Sequence, residues 1–173
     1  MRVERIVKVK VIVKVNNMNK TIYISGPITD NKTGQPRKGW QKDFLDAEEK
    51  LREMGFEVVT PIEIAYEAES TWNELVNEFN LLAEVPRWFY LEVCLERMVT
   101  LVESNIITPG EFAGIYLIGT PEDIQQSFGT MCEINFALSA GLPVWSQYYH
   151  GYAVDNLLRQ KTNVPTIAEV SKG

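Results

Sequence analysis

The chain has 173 residues, a net charge of −6 and 45% apolar residues, enough for one core and too many for a disordered chain. No apolar run approaches the ~20 residues of a membrane span, and no stretch reads as a secretory signal. Two cysteines and one histidine are too few for a disulfide scaffold or a zinc site of N and S ligands, so the expectation is a cytoplasmic protein with no metal and no cofactor.

The charge is uneven. Residues 1–20 carry six basic side chains against Glu4, a net of +5, which leaves −11 on residues 21–173. A body that acidic argues against a long nucleic acid as partner, since such binding relies on Lys and Arg neutralising phosphates. Within the arm, Val7, Val9, Val11, Val13 and Val15 alternate with Lys8, Lys10, Ile12 and Lys14. Period two with β-branched residues predicts a strand with one buried face, and the lysines suit a solvated edge. The arm over 1–19 therefore reads as an added edge strand or a dimerisation arm, with a polybasic contact to nucleic acid or an acidic partner as the other reading.

From residue 20 the rhythm is strand, loop, helix. Thr21 to Ile24 form a short buried-type strand that runs into Ser25-Gly26-Pro27. A polar loop over 30–39 leads to an amphipathic helix with Phe44, Leu45, Ala47, Leu51 and Met54 at helical spacing, stopped by Gly55. Phe56 to Val59 is a second strand. Helices are predicted over 72–83 and 86–102, split by Pro86, then a strand over Gly114 to Ile118, a helix over 128–140, a strand over Leu142 to Trp145 and a weaker helix over 153–161. This alternation predicts one α/β domain over 20–173, Rossmann-like (flavodoxin-like), with a parallel sheet covered by helices on both faces.

Ligands of open α/β sheets sit beyond the carboxyl ends of the strands. Two loops qualify. Ser25, Gly26 and Pro27 follow the first strand and let backbone approach a ligand. Ser127 and Gly129 open the helix that holds Glu133, where a hydroxyl and free N–H groups suit a phosphate. Glu133 is the only charged residue of that helix. Thr130-x-x-Glu133 matches a capping box, and on local pattern a cap and a functional carboxylate are equally good readings. Arg37 and Lys38 are candidate phosphate contacts, or simply an exposed loop. His150 with Tyr148, Tyr149 and Tyr152 reads as a polar loop that could border a site. Trp72, Trp88, Phe89 and Tyr90 read as core or subunit contact, and Cys132 as a small core residue.

Three blocks, in order, carry a family resemblance. They are Lys20-Thr21-Ile22-Tyr23-Ile24-Ser25-Gly26-Pro27-Ile28-Thr29, then Ala47-Glu48-x-x-Leu51-x-x-x-Gly55-x-x-Val58-Val59-x-Pro61, then Ser127-x-Gly129-x-x-x-Glu133 with Ala137 and Gly141-Leu142-Pro143-Val144-Trp145. Together they resemble the nucleoside 2-deoxyribosyltransferase-like proteins, particularly a bacterial and phage branch of unknown function. The Ser-x-Gly spacing is similar to that of members that hydrolyse deoxynucleoside 5′-monophosphates. The resemblance implies cleavage or transfer at the N-glycosidic bond, with Glu133 as nucleophile at C1′ and Tyr23 orienting it. It further implies Ser127 and Gly129 at the 5′ end of the sugar, Gly26 close to the ligand, a nucleoside or nucleotide as small-molecule partner, and a homo-oligomer. The family's usual acid on the helix before the third strand is replaced here by Cys94, with Glu92 and Glu96 within a turn of it. A second usual Asp is replaced at Ala113-Gly114, preceded by an insertion over 103–112. Asp123 is a further candidate acid. The alternatives are a degenerate nucleotide-binding module, and an assembly protein that uses its arm.

Overall fold

The computed structural model describes residues 20–30, 32–79 and 84–146. The predicted arm strand over 7–15, the helix over 153–161 and the segment holding His150, Tyr148, Tyr149 and Tyr152 lie outside them. The elements are β1 (Thr21–Ser25), α1 (Trp40–Glu53), β2 (Glu57–Val59), α2 (Pro61–Phe79), α3 (Arg87–Ile107), β3 (Phe112–Leu117), α4 (Pro121–Gln126), α5 (Phe128–Ser139) and β4 (Val144–Ser146).

The four strands form one parallel sheet in the order β2-β1-β3-β4. Helices cover both faces, as the alternating pattern requires of a parallel sheet, and the fold is α/β and Rossmann-like. The period-two rule assigns the faces. Ile22 and Ile24 of β1 pack with Val58 and Ile118 against Phe44, Ala47 and Leu51 of α1. Tyr23 points the other way, into a larger cluster with Ile64 of α2, Cys94 and Met98 of α3, Ile115 and Leu117 of β3, and Ile134 and Ala137 of α5. Order 2-1-3-4 places the topological switch between β1 and β3, so the crevice for a ligand lies where Ser25-Gly26-Pro27 faces Ile118-Gly119-Thr120.

Several boundaries differ from those expected. The second helical region begins at Pro61 rather than residue 72. The reason is a helix start in the sequence: the Thr60 hydroxyl accepts the Glu63 N–H (3.3 Å) and Pro61 occupies the first helical position, where its missing N–H is not needed. Residues 103–112 extend α3 to Ile107 and start β3 at Phe112. A register shift between Thr21 and Ile22 pairs Thr21 with Phe112 but Ile22 with Gly114. There Gly114 has φ 128°, and a Cβ on it would stand 2.3 Å from the Pro143 carbonyl oxygen, so the position takes no side chain. The short helix α4, absent from the expected elements, starts at Pro121 with the Thr120 hydroxyl accepting the Asp123 N–H.

Candidate active site around Glu133

The N-terminal turn of α5 settles which role Glu133 plays in its own helix. The cap is Ser127, whose Oγ accepts the Thr130 N–H at 3.4 Å and the Thr130 hydroxyl at 2.8 Å. Capping thus starts three residues earlier than the Thr130-x-x-Glu133 pattern suggests. Glu133 does not reach back to Thr130. Its carboxylate crosses to β1, where Tyr23 donates to Oε1 at 2.6 Å and Ser25 donates a short hydrogen bond to Oε2. Tyr23 and Ser25 are two apart on a strand, so both side chains leave the same face of the sheet. One carboxylate oxygen is held by each.

All three groups are buried: Tyr23 and Ser25 completely, Glu133 to 5% exposure. Removal from water pushes the Glu133 carboxyl up to about 7, although the Ser25 and Tyr23 hydrogen bonds pull in the opposite direction by favouring the charged form. Burial, then the charge of Glu133, raises the Tyr23 phenol well above its ordinary value. The Cys94 thiol comes in from α3 into the same buried cluster, and burial, then the charge of Glu133, pushes it up to about 12, so it stays protonated. A carboxyl that changes charge near neutral pH, fixed by hydroxyl donors at the end of a parallel strand, is a candidate for chemistry.

The other predicted residues divide. Gly26 is accounted for by packing: a Cβ there would sit 2.5 Å from Ile118 Cγ1 and 2.9 Å from the Ile118 carbonyl oxygen. Pro27 is buried beside it, and its carbonyl accepts Arg37 Nε at 2.9 Å. Gly129 is different. A Cβ on it would meet only Leu91 Cδ1, at 3.9 Å, an ordinary contact, so the packing around α5 does not require glycine. Ser127 and Gly129 together open the amino end of the helix that carries Glu133.

Asp123 belongs to another cluster. Its carboxylate accepts from Thr120 Oγ1 at 2.8 Å and pairs with Arg37 Nη1 at 3.5 Å, while Arg37 Nη2 stands 3.7 Å from Asp43. This cluster lines a cavity of about 450 Å³ with Lys50 and Tyr116, on the α1 face of the sheet, opposite Glu133. The structure therefore does not bring Asp123 to Glu133 as a partner. Arg37 is occupied by carboxylates, and Lys38 is exposed.

On α3, Cys94 faces inward, whereas Glu92 and Glu96 line an open groove of about 740 Å³ on the outer side with Trp88, Leu91, Leu95 and Val99. A helix side chain two positions from an inward one points away, and neither carboxylate substitutes for an acid at position 94. Trp72 packs on buried Phe89 at 5.1 Å, with Trp88 60% exposed, so part of that aromatic group is core and part is surface. Cys132 is half-buried next to Glu133.

Among the described residues, no three His, Cys, Asp or Glu side chains are grouped to hold a metal ion, and no helix is long and apolar enough to cross a membrane. Glu133 lines neither the cavity beside α1 nor the groove along α3. Comparison of the chain with protein families, curated proteins and solved structures finds no match.

Proposed function

We propose that the chain cleaves or transfers at the N-glycosidic bond of a nucleoside or deoxynucleoside 5′-monophosphate, with Glu133 as nucleophile. The reading is supported above all by one observation: Glu133 leaves the capping of its helix to Ser127 and accepts two hydroxyls from the end of β1. In its ionised form Glu133 attacks C1′, and the pair of electrons of the C1′–N bond leaves with the base. The resulting ester is then opened by water, or by the nitrogen of a second base. Tyr23 and Ser25 orient the carboxylate. A 5′-phosphate suits the amino end of α5, where Ser127 supplies a hydroxyl and Gly129 leaves the backbone uncovered. The described buried neighbours of Glu133 supply no second carboxylate, so the base leaves with the bonding electron pair as its anion and takes its proton from solvent water. A cytoplasmic homo-oligomer acting on a small molecule belongs to the same reading.

The test is incubation with each deoxynucleoside 5′-monophosphate and chromatography for free base, with and without a second nucleobase. Release or exchange supports the reading; neither, with any of them, removes it.

A second reading is favoured by the 5% exposure of Glu133. It is a nucleotide-binding module without turnover. Nucleotide binding by calorimetry without base release would select it. For a third role, assembly through the basic arm, an unchanged solution mass after deletion of residues 1–17 would exclude the arm.

A further inference from the structure

Strand β4 is covered on one face and open on the other. Its Val144 pairs with Ile115 in the Tyr23 cluster, under α2, α3 and α5, and is buried. The next residue, Trp145, points the other way. Register pairs Ile24 of β1 with Tyr116 of β3, and Tyr116 with Trp145. Paired residues share a face, so both rings leave the sheet on the side where α1 packs. That helix lies over β1 and β2. Tyr116 is half-buried at the margin of its cluster, whereas Trp145 joins neither core cluster of the described residues and is 49% exposed. We propose that residues 153–161 of this chain dock on Tyr116 and Trp145 as an amphipathic helix beside α1.

The need is general: the strands of a parallel sheet bury both faces. The occupant follows from position and pattern. The chain leaves β4 at Ser146, next to the open face. Residues 147–152 reach at most about 20 Å, ample to turn back across two strands about 4.8 Å apart. Beyond them Ala153, Val154, Leu157 and Leu158 recur on one side of a helix, with Asp155, Asn156, Arg159 and Gln160 on the other. Nine helical residues are about 13 Å long, close to the span of the strands beneath. The basic arm is the poorer fit. Its alternating valines and lysines make a strand pattern, and a strand laid flat on a sheet face leaves its backbone N–H and C=O groups without partners. This docking is independent of any action on nucleotides.

The experiment is fluorine NMR of the full chain labelled with 5-fluorotryptophan, with the Trp145 line assigned by Trp145→Phe. The change in each line between H2O and D2O reads the exposure of its ring. In the wild type the Trp145 line should respond as weakly as that of Trp72, which packs on Phe89, and less than that of exposed Trp88. Leu157→Ser combined with Leu158→Ser should raise the Trp145 response to the level of Trp88, equally at all protein concentrations. The Trp40 and Trp72 lines should stay in place, as the sign that the remaining core is folded. Val9→Ser combined with Val11→Ser should leave Trp145 unchanged. Should the double leucine variant lose the Trp40 and Trp72 lines, Leu157→Ala alone takes its place. A Trp145 line as exposed as that of Trp88 in the wild type, or one indifferent to Leu157 and Leu158, overturns the proposal. So does a line that follows the arm variant, or one that becomes exposed on dilution, which would make the cover a second copy.

Discussion

Tyr23 and Glu133, 110 positions apart in the chain, meet at 2.6 Å with the phenol donating to the carboxylate. A hydrogen bond to a charged group is worth about 1.5–3 kcal/mol, which is about one to two pH units on the acceptor. Tyr23→Phe is therefore expected to raise the Glu133 midpoint by about one unit or more, since Ser25 alone then supports the charge. A carbon-13 NMR titration of Glu133, assigned by Glu133→Gln, measures it. An unmoved midpoint would mean that the phenol does not stabilise the ionised form.

The raised carboxyl also links stability to pH. Glu133 moves from an ordinary 4.5 to about 7 on folding. Between those values the folded chain holds a proton that the unfolded chain has lost, so the contribution of Glu133 is fully present below 4.5 and disappears as pH rises through 7. Up to about 3 kcal/mol is at stake over that window. Denaturant unfolding of wild type and Glu133→Gln at several pH values is expected to show the wild type losing ground to the variant from acid to neutral, with the difference levelling off above it. A gap that is flat with pH would contradict the burial argument.

Gly129 separates folding from binding. Its surroundings accept a Cβ, and alanine favours helix over glycine by about 1 kcal/mol. Gly129→Ala should leave thermal stability unchanged or raise it, yet weaken binding of a 5′-phosphorylated ligand. Ser127→Ala should instead lower stability, by about 1 kcal/mol, because it removes the cap of α5. Thermal melts and nucleotide calorimetry on the two variants check both statements.

Gly26 should behave in the opposite way. A methyl group there overlaps Ile118, including its backbone oxygen, which cannot rotate aside. Gly26→Ala is expected to destabilise by about 1–3 kcal/mol, read from the shift in the denaturation midpoint. A variant as stable as wild type would reopen ligand approach as the reason for glycine at this position.

The strands and the buried stripe of α1 were legible because the cues are local: the short apolar run over Thr21 to Ile24 and the Phe44-Ala47-Leu51 spacing need no knowledge of the partners. The start of α2 is also present in Thr60-Pro61-Ile62-Glu63, as a hydroxyl cap followed by proline, although the apolar spacing alone points to a helix only from residue 72. The role of Glu133 was not decidable locally. Thr130-x-x-Glu133 fits a capping box, and only the three-residue-earlier cap at Ser127 and the arrival of Tyr23 and Ser25 from β1 separate the two readings. Likewise, a sequence cannot say on which side of the sheet Asp123 falls. Its place depends on Arg37, 86 residues away.

The most direct test of the account is free-base release from deoxynucleoside 5′-monophosphates by wild type and by Glu133→Gln, compared at matched folding. The account predicts release by the wild type and none by the variant, which keeps the shape of the side chain but not its negative charge. Release that survives in Glu133→Gln, or no release by the wild type from any of the substrates, would contradict it.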